Sequence, residues 1–198
     1  MSHYFINDET LTSEARTFGY TFRTVTLTFA SDRGVFAKDR VDFGTHVLLQ
    51  HLPLFQKETI LDLGCGVGVI GLLIAKAHPH THVTLSDINT RALDLATENV
   101  KQNKIKNTSL IHSDVYQNIP QPVDFIVTNP PIRAGKNVVH AMVLGGFDHL
   151  NMGGMMMVVI QKKQGADSLM KRMKEVYGNV DVVAKEKGYF ILKSQKNM

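Results

Sequence analysis

The sequence predicts an α/β fold, a doubly wound and mostly parallel sheet of seven strands that ends in an antiparallel hairpin. From about residue 58 onward, short apolar runs alternate with stretches of helical periodicity. This alternation is typical of parallel strands that helices cover on both faces. The last two apolar runs, at 180–184 and 189–193, are too close together for a crossover helix, so they must pair as an antiparallel hairpin.

The other elements are predicted in chain order. Residues 22–29 alternate with the period of one strand, so we expect residues 1–45 to form a small β-rich lead-in. Asn89 is placed to cap a long amphipathic helix. Because no repeat or linker interrupts the chain, residues 1–198 are expected to form one domain with its core at 46–198. The core strands are predicted at 59–63, 83–86, 109–112, 123–128 and 155–160, and the helices at 69–77, 89–103, 138–152 and 167–177.

The composition is that of a globular protein. Of 198 residues, 43% are hydrophobic and 20% are charged, whereas disordered chains are less apolar and more highly charged. The most apolar stretch, 141–160, is interrupted by Asp148 and glycines, so no membrane span is predicted. The amino terminus lacks a basic and then apolar segment, and Cys65 is the single cysteine. We therefore expect no secretory signal, no internal disulfide and a cytoplasmic location.

The charge balance adds an expectation about partners. The 22 Lys and Arg residues exceed the 18 Asp and Glu residues, for a formal net charge of +4. Beyond Gln161 nine basic residues face only four acidic ones. A mild basic excess suits an anionic partner without requiring one.

The sharpest motif is a glycine loop that follows the first core strand. The segment from Asp62 to Gly71 reads DLGCGVGVIG, so a strand leads through Gly64, Gly66 and Gly68 directly into a helix. Such a loop lets a ligand approach the backbone near a helix amino terminus. Because the same glycines also match the dinucleotide fingerprint, the loop alone leaves NAD and other nucleotide-type cofactors open.

Two acids beside the loop favour a positively charged cofactor. Asp62 lies two residues before the loop, where a carboxylate would hold an ammonium group and repel a diphosphate. Asp87 ends the second core strand and is placed to take ribose hydroxyls. S-adenosylmethionine (SAM) carries both an ammonium and a sulfonium, so this pattern suits SAM better than NAD. Cys65 lies inside the loop without a histidine neighbour in sequence and is interpreted as a small buried residue rather than a nucleophile.

A second motif, Asn129-Pro130-Pro131-Ile132, follows the fourth core strand. The carboxyl ends of the strands line the ligand crevice of an open α/β sheet, so Asn129 should face the same cavity as the glycine loop. The two prolines would make a stiff wall rich in acceptors. A planar exocyclic amine could donate to the Asn129 side-chain oxygen and the Pro130 carbonyl, which would aim its nitrogen lone pair at an electrophilic methyl group.

The segments LDLGCGVGVIG, SDINTRALDLATENV and VTNPPIRAGK together resemble the class I SAM-dependent methyltransferases, whose fold is Rossmann-like. Within that class the chain resembles the short single-domain members of the small-subunit rRNA guanine-N2 methyltransferase C family. The resemblance covers about residue 20 to the end. It implies a methyltransferase active in rRNA methylation and processing, with SAM as cofactor, S-adenosylhomocysteine as product, no metal, and structured RNA or the small ribosomal subunit as partner.

The resemblance also implies roles for individual residues. Around the cofactor, Asp62 and the glycine loop would surround the methionine part, Asp87 would hold the ribose, Ile88 would pack on adenine, and Asp114 with Val115 would meet the adenine amino group. Asn129 to Ile132 would hold the target amine, and Asn129 is expected among the cofactor contacts as well. The cofactor's other side would be closed by Phe36, Asp42 and Thr45.

Three features bear on the substrate. Related adenine and glutamine methyltransferases usually have an aromatic residue after the two prolines, whereas this chain has Ile132, which weakens those two alternatives. Arg133 and Lys136 are placed to bind phosphate at the mouth of the site. A base inside a duplex could not reach the pocket, so the target nucleotide must be single-stranded or flipped.

The sequence leaves several alternatives open. The same reaction could act on adenine in DNA, another RNA base or a protein glutamine, and a non-catalytic SAM-binding or RNA-binding assembly protein is a further hypothesis. The hypothesis of an NAD-dependent oxidoreductase rests on the glycine pattern alone. His78, His80 and His82 lie at the opposite edge of the predicted sheet without neighbouring acids, and we interpret them as surface residues rather than metal ligands.

Overall fold

A computed structural model describes residues 14–32, 35 and 39–197. The chain folds into a two-stranded hairpin followed by a seven-stranded sheet with helices between its strands. The elements are β1 (Arg16–Phe22), β2 (Val25–Ser31), α1 (Phe43–Gln50), β3 (Thr59–Leu63), α2 (Val69–Ala77), β4 (His82–Asp87), α3 (Thr90–Gln102), β5 (Thr108–His112), β6 (Val123–Thr128), α4 (Lys136–Leu144), β7 (Leu150–Gln161), α5 (Ala166–Tyr177), β8 (Asp181–Glu186) and β9 (Tyr189–Gln195).

The order of the strands places a ligand crevice at the centre of the sheet. The order is β5-β4-β3-β6-β7-β9-β8, and every pairing is parallel except those of β9 with β7 and with β8. This confirms the predicted mostly parallel sheet and its terminal hairpin. The chain proceeds outward in one direction from β3 and in the other from β6, and ligands of open α/β sheets bind at such a switch point, beyond the carboxyl ends of the strands.

Helices cover both faces of the sheet. Ile60, Phe125 and Val127 face a core layer that includes α1, α2 and α3, while the intervening Leu61 and Ile126 face the layer of α4 and α5. Because both faces are buried, the strands read as continuous apolar runs rather than as an alternating pattern. The Asn89 cap is also confirmed, since its side chain accepts a hydrogen bond from the Ala92 amide at 3.2 Å.

The prediction of one strand over residues 22–29 is wrong. The chain turns at Arg23 and Thr24, and Phe22 pairs with Val25 across the antiparallel β1–β2 hairpin. The alternation of side chains continues through this turn, and neither turn residue is a glycine or asparagine that would mark it. Arg23 has a positive φ of 53°. Its side chain anchors the turn by donating to the Leu52 carbonyl at 2.8 Å.

The predicted helix over 138–152 also needs correction. Helix α4 begins at Lys136 and ends at Leu144, and the chain then makes a short 3-10 turn before β7 starts at Leu150. A Cβ atom at Gly146 would lie 2.4 Å from the Met156 side chain and 2.8 Å from the Tyr177 hydroxyl. The glycine pair therefore ends the helix where the chain packs closely against β7 and α5. Within the described ranges, no helix combines the length and apolarity needed to cross a membrane.

Candidate active site

The glycine loop is held by backbone hydrogen bonds to the end of β4. The amides of Gly64 and Cys65 donate to the Ser86 carbonyl at 2.8 and 2.9 Å, and the Gly66 amide donates to Asp87 Oδ2 at 2.8 Å. Gly64, Gly66 and Gly68 all have positive φ, at 71°, 56° and 89°, a conformation that is costly for other residues. These hydrogen bonds and dihedral angles give the loop a defined shape.

Two of these glycines serve different purposes. A Cβ atom at Gly68 would lie 2.9 Å from Leu85 and 3.0 Å from Leu72, so this glycine is needed for packing at the start of α2. Among the described residues, nothing lies within 4 Å of a Cβ atom at Gly66. The Gly66 backbone thus faces open space at the switch point, where a ligand can approach it closely.

Asp62 is a buried carboxylate with an unmet acceptor. It is 1% exposed, and its Oδ2 accepts from the Gly71 amide at 2.7 Å. Its buried Oδ1 has no hydrogen-bond partner among the described residues. Burial raises the pKa of Asp62 to about 7; the Gly71 hydrogen bond opposes this rise and the charge of Asp87 adds to it. Since a buried acceptor without a donor is costly, the site fits a ligand that brings a positively charged N–H group.

Asp87 and Ile88 lie beside this carboxylate at the end of β4. Asp87 accepts from the Asn89 amide at 2.9 Å as well as from Gly66, and burial raises its pKa although these hydrogen bonds oppose the rise. Each carboxylate oxygen keeps a second lone pair for a ligand hydroxyl. Ile88 is 40% exposed, which is unusual for a large apolar side chain in this molecule, and offers a surface for a flat ring.

Asp114 and Val115 follow β5, the neighbour of β4 in the sheet. Asp114 is exposed, whereas Val115 is half-buried and has a positive φ of 49°. Ser113 holds this turn, because its hydroxyl donates to the Val115 carbonyl and accepts from the Asn118 amide, both at 3.0 Å. The predicted adenine-contacting residues therefore lie at the same edge of the sheet as Asp62 and Asp87.

Asn129 is fixed by two residues at the start of α1. Its Nδ2 donates to the Thr45 hydroxyl at 2.8 Å and lies 3.3 Å from both carboxylate oxygens of Asp42. Because a carboxylate only accepts, these contacts determine which end of the amide is the NH₂ group. The Asn129 carbonyl oxygen is consequently turned away from Asp42. Asp42 also caps α1 by accepting from the Thr45 amide at 3.1 Å.

The two prolines continue the wall that Asn129 begins. Pro130 is buried, and the Pro131 carbonyl accepts from the Ala134 amide at 2.8 Å to close a 3-10 turn. Ile132, the residue after the prolines, packs against the core layer of α4 and α5. The Asn129 carbonyl oxygen, whose orientation is defined, is thus followed by the rigid segment from Pro130 to Ile132.

Basic side chains lie beyond this wall. Arg133 and Lys136 are exposed, and neither forms an ion pair within the part of the chain that the structure describes. The pKa of His140, one turn along α4, is lowered by burial and then by the charges of Lys136 and Arg172. Arg133 and Lys136 therefore place two exposed positive charges just beyond the Asn129 wall.

The structure clarifies the remaining predicted residues. Cys65 is buried, and burial raises the pKa of its thiol well above the usual value, which suits a packed side chain and not a thiolate nucleophile. Phe36 lies outside the described residues. The His78 side chain is hydrogen-bonded to Arg23 at 2.8 Å, and the His82 side chain is hydrogen-bonded to Ser109 at 2.9 Å. No group of three His, Cys, Asp or Glu side chains within the described ranges could hold a metal ion.

Sequence reasoning missed two polar residues that shape this edge. The Thr128 hydroxyl donates to the Leu63 carbonyl at 2.7 Å and so ties the end of β6 to the end of β3. Ser86 is fully buried and its backbone carbonyl receives the glycine loop. Both lie one residue before a predicted site residue, Asn129 and Asp87, but nothing in their residue types separates them from ordinary strand residues.

The fold is that of a class I methyltransferase. The family model of the methyltransferase small domain matches residues 26–193, and the chain belongs to this family. It is 42% identical to the Bacillus subtilis protein YbxB, which is described as uncharacterized, over 98% of both chains. It is 32% identical to ribosomal RNA small subunit methyltransferase C of Haemophilus influenzae, with 93% of this chain and 56% of that protein covered.

A solved structure extends the likeness to three dimensions. The 16S rRNA N2 methyltransferase RsmC of T. thermophilus, in complex with AdoMet and guanosine, matches with a TM-score of 0.83 and 25% identity. The match covers 92% of this chain and 50% of that one. The resemblance seen in the sequence motifs is thereby confirmed, and the chain spans about half the length of the RsmC proteins that it matches.

Proposed function

We propose that this protein transfers a methyl group from SAM to the exocyclic N2 amine of a guanine in RNA of the small ribosomal subunit. The observation that carries the proposal is the orientation of Asn129. Asp42 and Thr45 hold its NH₂ group, so its carbonyl oxygen is left to accept a hydrogen bond from an amine. The names of the RsmC relatives, and the guanosine bound to one of them, support guanine as the target.

The residues around the glycine loop fit SAM better than NAD. The unpartnered Oδ1 of Asp62 would accept from the ammonium of the methionine part, whereas a diphosphate would be repelled there. Asp87 would accept from the ribose hydroxyls, Ile88 would pack on the adenine ring, and Asp114 with Val115 would contact its amino group. Gly64, Cys65, Gly66 and Gly68 would surround the methionine part, with Phe36, Asp42 and Thr45 on its other side.

The chemistry needs no protein nucleophile. When bound, SAM supplies an electrophilic methyl group on a sulfonium. The Asn129 oxygen and the Pro130 carbonyl would accept hydrogen bonds from the two N–H groups of the guanine amine. Pro131 and Ile132 would keep this segment rigid. These hydrogen bonds direct the nitrogen lone pair and stabilise the positive charge that develops on nitrogen. The nitrogen then releases one proton to water, and no covalent enzyme intermediate forms.

Charge and access to the site indicate how an RNA substrate would bind. Arg133 and Lys136 would bind phosphates next to the target nucleotide, which must be unpaired or flipped to reach Asn129. An RNA substrate of this kind places the reaction in the cytoplasm. The division of the chain into a lead-in at 1–45 and a catalytic core at 46–198 stays a prediction.

Two measurements test the proposal. Calorimetric titration should show binding of SAM and none of NAD, and NAD binding without SAM binding would overturn the cofactor assignment. SAM with a labelled methyl group should then be offered with naked rRNA, isolated small subunits and total protein from cells that lack this protein. Label should enter RNA as N2-methylguanosine, identified by nucleoside mass spectrometry; label in adenine or in a protein glutamine would refute the guanine assignment.

A further inference from the structure

The corner of the molecule beside Asn129 carries features that the proposed reaction does not use. Tyr189 at the start of β9 pairs with Gln161 at the end of β7. The β8–β9 turn therefore lies at the carboxyl edge of the parallel strands, the edge that also holds Asn129. A Cβ atom at Gly44 would lie 2.8 Å from the Tyr189 ring and 3.1 Å from Asp42 Oδ1. The Tyr189 ring is thus close to the carboxylate that orients Asn129.

An aromatic pair at this corner is partly exposed. Phe43 and Tyr189 have ring centroids 5.6 Å apart, and both side chains are only half-buried. Phe43 directly follows Asp42, so the pair is adjacent to the acceptor site. Partly exposed aromatic rings beside a catalytic edge are surfaces on which unpaired bases stack.

Three lysines lie on the two turns at this corner. The Nζ of Lys187 lies 4.9 Å from the centroid of the Phe43 ring, at the tip of the β8–β9 turn. Lys162 and Lys163 form a 3-10 turn directly after β7, and the Lys162 amide donates to the Gly188 carbonyl at 2.8 Å. All three lysine residues are exposed, and the acidic residues at this corner include Glu186, which ends β8, and Asp42, which lies beside the Tyr189 ring. The corner is therefore basic as well as aromatic.

We propose that Phe43, Tyr189, Lys162, Lys163 and Lys187 form a docking face for the single-stranded RNA that flanks the target nucleotide. The lysines contact its phosphates, and the aromatic pair stacks on a neighbouring base. This inference rests on the proposed function and adds the path by which RNA leaves the acceptor site. Charge complementarity favours RNA over a second copy of this chain, which itself carries a net charge of +4.

The face is tested by removing two of its charges and comparing with a matched control. The test variant replaces Lys163 and Lys187 by alanine. The control replaces Lys57 and Lys106, which are exposed near the starts of β3 and β5, at the opposite edge of the sheet. Binding of a short guanine-containing single-stranded RNA is followed by fluorescence anisotropy over a range of salt concentrations. SAM affinity is measured in parallel to show that both variants are folded.

The expected result is specific to this corner. The slope of log Kd against log salt should fall in the test variant by about 0.7 per phosphate contact removed, and it should stay unchanged in the control. A Tyr189→Leu variant should bind the RNA roughly tenfold more weakly, because base stacking is lost. SAM affinity should not change in any of the three variants.

The outcomes separate the two proposals. If wild type methylates RNA but the test and control variants show the same slope, the docking face is wrong and the proposed function stands. If wild type methylates a protein and no RNA, the proposed function is wrong, and the docking face is wrong with it. If wild type and test variant differ in the rate of RNA methylation but not in RNA binding, the lysines do not dock RNA and the inference is overturned.

Discussion

The two halves of the candidate site are built in different ways. In the cofactor half, the loop from Gly64 to Gly68 is fixed by backbone amides that donate to Ser86 and Asp87, all within 23 residues of Gly64 along the chain. In the amine half, Asn129 is held by side chains of Asp42 and Thr45, which lie 87 and 84 residues away in sequence. The comparison shows that a backbone cradle can be recognised from its residues, whereas an oriented side chain depends on contacts that only the fold brings together.

This difference has a functional consequence. If the two halves are separate devices, substitutions in the amine half should slow methyl transfer and leave SAM binding intact. Substitutions in the cofactor half should weaken SAM binding first. Each of the following changes is designed to separate the halves or to show that they are coupled.

The largest effect is expected for Asn129→Ala. It removes the oriented acceptor, and loss of one such group typically costs about 100-fold in rate. Methyl transfer to RNA should fall by about that factor in single-turnover assays, while calorimetry should show unchanged SAM affinity. A parallel loss of SAM binding would mean that Asn129 belongs to both halves.

The second effect compares two glycines of the same loop. Gly66→Ala places a methyl group in open space at the switch point, whereas Gly68→Ala forces one against Leu72 and Leu85. Both changes also strain the backbone by roughly 1–2 kcal/mol. We expect Gly66→Ala to weaken SAM binding at least about tenfold with a small loss of stability, and Gly68→Ala to lower the melting temperature more. If Gly66→Ala binds SAM like wild type, the cofactor does not approach this backbone.

The third effect tests how Asn129 is oriented. Asp42→Asn keeps a side chain that can cap α1, because Asn and Asp are equally good caps. It removes the charge that dictates which way the Asn129 amide points. We expect kcat for methyl transfer to fall about tenfold with little change in melting temperature. Unchanged kcat would show that Thr45 alone orients the amide.

The smallest expected effect is the release of a proton from Asp62 when SAM binds. Burial holds the pKa of Asp62 at about 7 in the unliganded protein. An ammonium bound to the carboxylate would lower this pKa, so SAM binding below pH 7 should release a proton, and the release should vanish well above pH 7. Calorimetry in buffers of different ionisation enthalpy measures the number of protons released when SAM binds. Asp62→Asn should abolish it; proton uptake in wild type, or release that persists in the variant, would contradict the assigned role.

The same pKa has a consequence for stability. The ordinary pKa of Asp62 is 3.8, so the unfolded chain ionises first as pH rises. The free energy of unfolding of the unliganded protein should therefore fall as the pH rises from 3.8 to about 7. Above about pH 7, Asp62 should cause no further fall. Chemical denaturation of wild type and Asp62→Asn across this range measures the difference, which should disappear in the variant.

Much of the fold could be predicted from periodicity. The seven strands, the terminal hairpin and the Asn89 cap follow from apolar runs, short spacings and a capping residue, which are local signals. The β1–β2 turn could not be recognised, because Arg23 and Thr24 interrupt no alternation and are not typical turn residues. The end of α4 could not be placed from the sequence, because Gly146 is required by packing against Met156 and Tyr177, a contact between distant parts of the chain.

The candidate site shows the same limit. Asp62, Asp87 and Asn129 could be placed at one edge, because they end parallel strands whose order follows from the alternation. The unpartnered oxygen of Asp62 and the direction of the Asn129 amide could not be inferred, since they depend on what lies opposite each atom. Asp42 and Thr45 were assigned to the cofactor from resemblance, and their contact with Asn129 became visible only in the structure.

The central claim is methyl transfer to guanine N2 in small-subunit rRNA by an amine held against Asn129. It is tested most directly by nucleoside mass spectrometry of that rRNA from cells lacking this protein, complemented with wild type or with Asn129→Ala. We expect an N2-methylguanosine that is absent from the deletion, restored by wild type and not restored by Asn129→Ala. Unchanged N2-methylguanosine in all three samples would contradict it.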